Sequence, residues 1–244
     1  MIKYNITALK NLFIDGMNIA SVNSRYCEDV EKELSKIGCN ITKYFSKKEC
    51  DFNIDVDTLI ETINKDNYEL IVICNPNNPT GFTFTKNEVE KILNSTNSFV
   101  MVDETYVEFS EDTSKITSIP LTEYYNNIII LRGISKFFAA PGLRLGYAVC
   151  GNHELLKEID SRKNPWTINS LAAIAGEIMF KDTDYINETW NLISSERKRI
   201  CGILEKCHGL KFYKPHANFI LIKILKDGIT SEELFETAIR QGLM

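Results

Sequence analysis

Histidine, proline and glycine are scarce in this 244-residue chain, with three, six and twelve residues. The histidines, His153, His208 and His216, are too far apart in sequence to read as a metal centre, and none is expected to bind a metal. No glycines form GxGxxG behind an apolar run, which excludes the Rossmann dinucleotide fingerprint. An excess of basic charge is also lacking. Lys and Arg number 28 against 33 Asp and Glu, so neither nucleic acid nor an acidic membrane surface is an expected partner. Apolar runs such as Leu70–Cys74 and Phe99–Val102 fall far short of the roughly 20 residues that span a bilayer. Lys3, Asn5, Lys10 and Asn11 interrupt any signal-peptide pattern at the start. The seven cysteines are odd in number and include no CxxC pair. They read as reduced thiols of a cytoplasmic protein, several of them filling the core.

What is present is ordinary globular composition, 44% apolar and 25% charged, in a chain long enough for one large or two modest domains. Short apolar runs alternate with helical periodicity, the pattern of parallel βαβ units. Val30, Leu34 and Ile37 share one helix face closed by Gly38, and further helices are expected at 56–64 and 86–93. Strands are expected at 70–74, 99–102, 128–131, 145–149 and 219–224. Ser170–Phe180 reads as an apolar buried helix and Tyr185–Lys206 as a longer amphipathic one. A last helix runs from Ser231 to Gln241, capped by the serine. No repeat, low-complexity tract or linker interrupts the chain. Met1 enters a helix-like run at once and Met244 follows the last helix directly, which reads as a fragment.

Three segments carry chemistry. NPNNPTG (Asn75–Gly81) follows a buried run directly, as a rigid turn-rich loop at the C-terminal end of a strand, where open α/β sheets bind ligands. A plain strand-to-helix turn is the alternative. Asp103, in VDETYVEF, sits at the end of the next run, either as a helix cap or as a partner for a protonated ring nitrogen. In SKFFAAPGLRLGY (Ser135–Tyr147), a lysine follows a small hydroxyl residue and Arg144 comes after a Pro-Gly turn. An amine beside a hydroxyl and a guanidinium suits an aldehyde cofactor that carries a phosphate. The alternative is a solvated loop lysine.

Together with NPWTIN (Asn164–Asn169), these segments resemble in order and spacing the fold-type I pyridoxal-phosphate enzymes of the class I/II aminotransferases. The resemblance is closest to the histidinol-phosphate aminotransferase and threonine-phosphate decarboxylase group, and it covers nearly the whole chain. It implies an α/β fold: a mostly parallel sheet covered by helices, with an incomplete small α/β domain. Residues 1–185 would form the cofactor-binding large domain and 186–244 part of the small one. It further implies pyridoxal 5'-phosphate as cofactor, Lys136 as the Schiff-base lysine and Asp103 as the pyridine-nitrogen partner. Asn78 and Tyr106 would hold the ring oxygen, and Ser135 and Arg144 the phosphate. Tyr26 falls near the aromatic that stacks on the ring in relatives, with a half-buried packing role as the alternative. Asn218, in the ANF segment, is either part of that site or core packing beside a strand.

The implied substrate is a small amino acid, phosphorylated in this group, and the implied assembly a homodimer. FFAAPGLRLGY and PWTIN lean towards the decarboxylase, whose product feeds cobalamin assembly. Three departures bear on activity. The family's phosphate-cradling glycine loop would precede position 1, Gly133 stands where relatives often carry a hydroxyl residue, and no arginine follows Arg240. The rival expectation is an inactive fragment that keeps the fold and weak cofactor affinity.

Overall fold

The β-branched runs become the strands of one sheet in the computed structural model, which describes residues 16–22, 35–36, 38–163 and 166–243. They are β1 (Asn18–Val22), β2 (Asn40–Tyr44), β3 (Leu70–Cys74), β4 (Phe99–Asp103), β5 (Ile128–Gly133) and β6 (Gly146–Val149). The spatial order is β2-β1-β3-β4-β5-β6. The first five are parallel, and β6 closes one edge antiparallel to β5. The helices are α1 (Val56–Lys65), α2 (Lys86–Ser95), the short α3 (Thr113–Ile116), α4 (His153–Arg162), α5 (Ser170–Met179), α6 (Thr183–Leu204) and α7 (Ser231–Arg240). A two-stranded antiparallel sheet, β7 (Leu210–Phe212) and β8 (Ile222–Ile224), lies between the last two helices in sequence.

Successive strand residues point to opposite faces, so a strand covered on both sides must be apolar throughout. Leu70–Cys74 is buried at all five positions for this reason. On one face, Ala20, Ile71, Ile73, Val100, Val102, Ile128 and Ile130 meet Leu59 and Ile63 of α1 and Val89 and Ile92 of α2. On the other, Ile19, Val72, Met101 and Ile129 meet Ile159 of α4. Each fully buried isoleucine contributes roughly 1.5–3 kcal/mol. Local signals set the helix starts. Asp55 accepts from Thr58 N at 2.8 Å, and Thr85 and Glu88 form a reciprocal capping box.

Several boundaries differ from the sequence reading. β5 begins at Ile128 as expected but runs on to Gly133, and β6 begins at Gly146 rather than Leu145. β8 starts at Ile222, because Phe219 leaves the strand direction to pack edge-on against Tyr106. Thr230, not Ser231, caps α7; its hydroxyl accepts from Glu233 N at 3.1 Å. The α5 helix is not buried. Leu171, Ile174 and Ile178 are 74%, 60% and 63% exposed, and the face that packs carries Ala172 and Gly176. A Cβ on Gly176 would lie 2.7 Å from Leu145 Cδ2, so the backbone docks closer than a larger residue would allow. A helix that is apolar all round does not announce which side is covered. The helix face of Val30, Leu34 and Ile37 lies outside the described residues.

Candidate functional site

Parallel pairing aligns Cys74 with Asp103 and Asp103 with Leu131, so β3, β4 and β5 end side by side. The segments after them therefore converge at one edge of the sheet. The Asn75–Gly81 loop is held by its own polar atoms. Asn75 N donates to Asp103 O at 2.9 Å, Asn75 Nδ2 donates to Phe84 O at 3.0 Å, and Asn77 Oδ1 accepts from Thr80 Oγ1 at 2.8 Å. Gly81 adopts φ +73°, and a Cβ there would lie 3.1 Å from Pro215 Cα. This glycine lets the 214–216 segment approach the loop.

Four of the sequence-named residues come together here. Asn78 Nδ2 donates to the Tyr106 hydroxyl at 3.2 Å, and Lys136 Nζ lies 5.8 Å from the centre of the Tyr106 ring. Tyr106 itself is buried against Phe219, Phe109 and Phe137. Asp103 ends β4 and caps no helix. Thr105 N donates to its Oδ1 at 2.9 Å and Thr105 Oγ1 donates to the same oxygen. Both bonds fall on Oδ1, which leaves Oδ2 without a described partner. Burial pushes the Asp103 carboxyl up from the usual carboxylate range, against the pull of the Thr105 donors. A cation at Oδ2 would restore the ionised form.

Lys136 follows β5 in a turn, half-buried beside the buried Phe137. Ile134 N donates to Leu145 O at 3.3 Å, which sets the Ser135–Lys136 turn beside the Arg144–Leu145 backbone. Arg144 is exposed, in the left-handed region at φ 54°, and its Nη1 donates to Pro141 O at 3.1 Å. Its guanidinium has no described contact with Ser135. Asn218 is exposed and does not pack in the core; its neighbours Ala217 and Phe219 do. Tyr26, Asn164 and Pro165 lie outside the described residues.

The α6 helix fastens this edge from outside. Tyr185 OH donates to Phe137 O at 3.1 Å, Trp190 Nε1 donates to Ser110 O at 3.1 Å, and Arg197 Nη1 donates to Phe109 O and Ala217 O at 2.7 and 3.1 Å. Sequence reading did not single out these residues. It also passed over Glu104, Glu108 and Arg132, which form a buried ionic cluster beside the site. The available signal was charge placed directly against apolar strand runs, in VDETYVEF and in Ile130-Leu131-Arg132. Among the described residues no group of three or more His, Cys, Asp or Glu is arranged to hold a metal ion, and no helix is long and apolar enough to cross a membrane.

The family model described as "Aminotransferase class I and II" matches residues 8–243. The chain belongs to that family. Within it, the chain is 39% identical over 189 residues to a histidinol-phosphate aminotransferase of Thermoanaerobacter sp. (strain X514), covering 78% of this chain and 52% of that protein. It is 33% identical to a putative threonine-phosphate decarboxylase of Caldanaerobacter subterraneus subsp. tengcongensis, over 71% of this chain and 47% of the relative. The crystal structure of a Clostridium acetobutylicum histidinol-phosphate aminotransferase superimposes with a TM-score of 0.86 at 29% identity, covering 98% of this chain and 71% of that one. The chain thus spans about half the length of these two curated class I and II relatives.

Proposed function

We propose that this chain carries the reactive lysine of a pyridoxal-phosphate-dependent aminotransferase acting on a small, phosphorylated amino-acid-type substrate. The observation that carries the reading is the convergence of Asn78, Asp103, Tyr106 and Lys136 at the ends of β3, β4 and β5. The donor set fits the cofactor. Asp103 Oδ2 is an acceptor that lacks a cation, and Asn78 Nδ2 and the Tyr106 hydroxyl meet where one further oxygen can accept from both.

In this reading Asp103 would keep the pyridine nitrogen protonated, while Asn78 and Tyr106 would hold the ring oxygen. Lys136 would present its amine to the cofactor's aldehyde group and, as a free amine, would move a proton at the substrate α-carbon. Ser135 and Arg144 would hold the phosphate, the guanidinium of Arg144 being exposed beside Pro141 O. When bound, the cofactor supplies an electron sink that stabilises negative charge at that α-carbon. Residues 1–185 form the cofactor-binding domain and 186–244 belong to the smaller one, with α6 running between the two sheets. The working protein is a cytoplasmic homodimer. Six described cysteines without disulfides support the compartment, and the exposed apolar residues of α5 support the second copy.

Decarboxylation of a phosphorylated amino acid, as a step towards cobalamin, is the second reading, favoured by the likeness to the threonine-phosphate decarboxylase. Transamination stands first because the histidinol-phosphate aminotransferase likeness is stronger at 39% identity. The test is to incubate the chain with pyridoxal phosphate, reduce with borohydride and map the modified peptide. Modification at Lys136, lost in Lys136→Ala, is expected. Modification only at other lysines overturns the assignment. Assays with glutamate plus an imidazole phosphate ketone, and with phosphothreonine for carbon dioxide release, separate the two readings.

A further inference from the structure

The roles assigned above leave unused the most heavily bonded carboxylate described at this edge. Glu104 follows Asp103 directly and is fully buried. Its Oε2 accepts from Arg132 Nη2 at 2.8 Å, Arg132 Nε at 3.1 Å and Thr117 Oγ1 at 2.8 Å, and its Oε1 accepts from Ser118 N at 2.5 Å. Arg132, on β5, lies four residues before Lys136 and is 12% exposed. Its Nη1 reaches Glu108 Oε1 at 3.2 Å, and Nη2 also donates to Thr117 Oγ1 at 2.7 Å. One guanidinium thus ties the end of β4, the end of β5 and the segment after α3.

The cluster is unbalanced. Two carboxylates share one guanidinium, so full ionisation leaves a buried negative charge, which is costly away from water. Glu108 is where the imbalance falls. Its side chain is 23% exposed, yet its Oε2 is sealed from solvent and has no hydrogen-bond partner. The ionisable groups facing it are Arg132 from β5, Glu104 from the end of β4, and Tyr147, which pairs with Arg132 across the β5–β6 ladder. Protonation would leave Glu104 and Arg132 as a neutral, fully bonded pair.

We infer that Arg132 is a positioning residue, which sets Asp103 against Lys136 by clamping the ends of β4 and β5, and that the proton on Glu108 adjusts this clamp. The inference rests on the cofactor reading given above. Asp103 is joined to Glu104 by one peptide unit, and Lys136 to Arg132 by a single turn, so a shift of the guanidinium between its two carboxylates moves both reactive groups. A misplacement of about 1 Å at a reacting centre costs on the order of a hundredfold in rate. The carboxyl of Glu108 is pushed up to about 7 by burial, against the pull of Arg132, which puts the adjustment near neutral pH.

The test compares wild type, Glu108→Gln and Arg132→Lys. Each is loaded with pyridoxal phosphate across pH 5.5–8.5, and the rate of borohydride trapping at Lys136 and the pH midpoint of the visible cofactor band are read. Circular dichroism and thermal unfolding confirm that each variant is folded. Wild type should show a step near neutral pH that Glu108→Gln loses while still being trapped; any step from the lysine amine itself is common to both. Arg132→Lys keeps the charge but not the fork, and should slow trapping at Lys136 by about tenfold in a folded protein. Should Arg132→Lys fail to fold, the Glu108→Gln profile decides alone. An unchanged step in Glu108→Gln, or wild-type trapping in folded Arg132→Lys, overturns the inference and leaves the cofactor reading standing. Absence of trapping at Lys136 in wild type overturns both.

Discussion

Burial of Glu108 should contribute a separable fall in the stability of this chain as pH rises from 5 to 8. Its folded value of about 7 lies above the ordinary 4.5. A carboxyl raised in the folded state binds its proton more tightly there than in the unfolded chain. The stabilisation it gives is fully present below about pH 4.5 and is lost as pH climbs through about 7. At about 1.4 kcal/mol per unit, integration between pH 5 and 8 gives roughly 2.5 kcal/mol. The step belongs to the two coupled glutamates, because burial also pushes the Glu104 carboxyl up while Arg132, Ser118 N and Thr117 pull it down. Glu108→Gln removes the proton but keeps the side chain's size. Urea unfolding of both proteins at several pH values reads how the step of the pair changes once Glu108 can no longer titrate. The variant should gain on wild type by about 2.5 kcal/mol between pH 5 and pH 8. Parallel stability curves would refute the reasoning, and would mean that water or a counter-charge reaches Glu108 Oε2.

Other substitutions probe other parts of the fold. Asp103→Asn should weaken cofactor affinity roughly tenfold to a hundredfold, read by absorbance titration, with unfolding little changed. Gly81→Ala combines φ +73° with a contact 3.1 Å from Pro215 Cα, and should cost about 1–3 kcal/mol in denaturant unfolding. Ile174→Ser on exposed α5 should cost less than about 0.5 kcal/mol in the isolated chain, whereas Ile130→Ala in the sheet should cost about 2–5. Equal losses at the two sites would mean that α5 is covered. Arg197→Met strands the carbonyls of Phe109 and Ala217 and should cost about 1–3 kcal/mol, with faster amide exchange around 210–224 as the local sign.

The strands from β3 onward were legible in the sequence because central strands are covered on both faces, which forces runs such as LIVIC and FVMVD. By contrast β1 and β2, NIASV and NITKY, carry polar residues and were not expected. The convergence of Asn78, Asp103, Tyr106 and Lys136 was legible because parallel strands must end on the same side. The ionic cluster was not, since Arg132 meets Glu104 across 28 positions and nothing local marks the pairing. The exposure of α5 was hidden for another reason. Composition reports that Leu171, Ile174 and Ile178 are apolar, while the two small residues that dock, Ala172 and Gly176, decide the buried side. At Thr230–Ser231 two hydroxyl residues compete for one cap, and only the backbone geometry tells them apart.

The anchors of α6 have a consequence for variation. Tyr185, Trp190 and Arg197 all donate to main-chain oxygens, those of Phe137, Ser110, Phe109 and Ala217. Every amino acid offers that same oxygen. The anchor therefore places no demand on the side chains of the four accepting positions, which are constrained instead by their burial. The three donors have no such freedom, because no other side chain has both their reach and their donor. The hydrogen bonds themselves should therefore leave no statistical trace in paired substitutions across this seam, although they join segments as much as 88 residues apart.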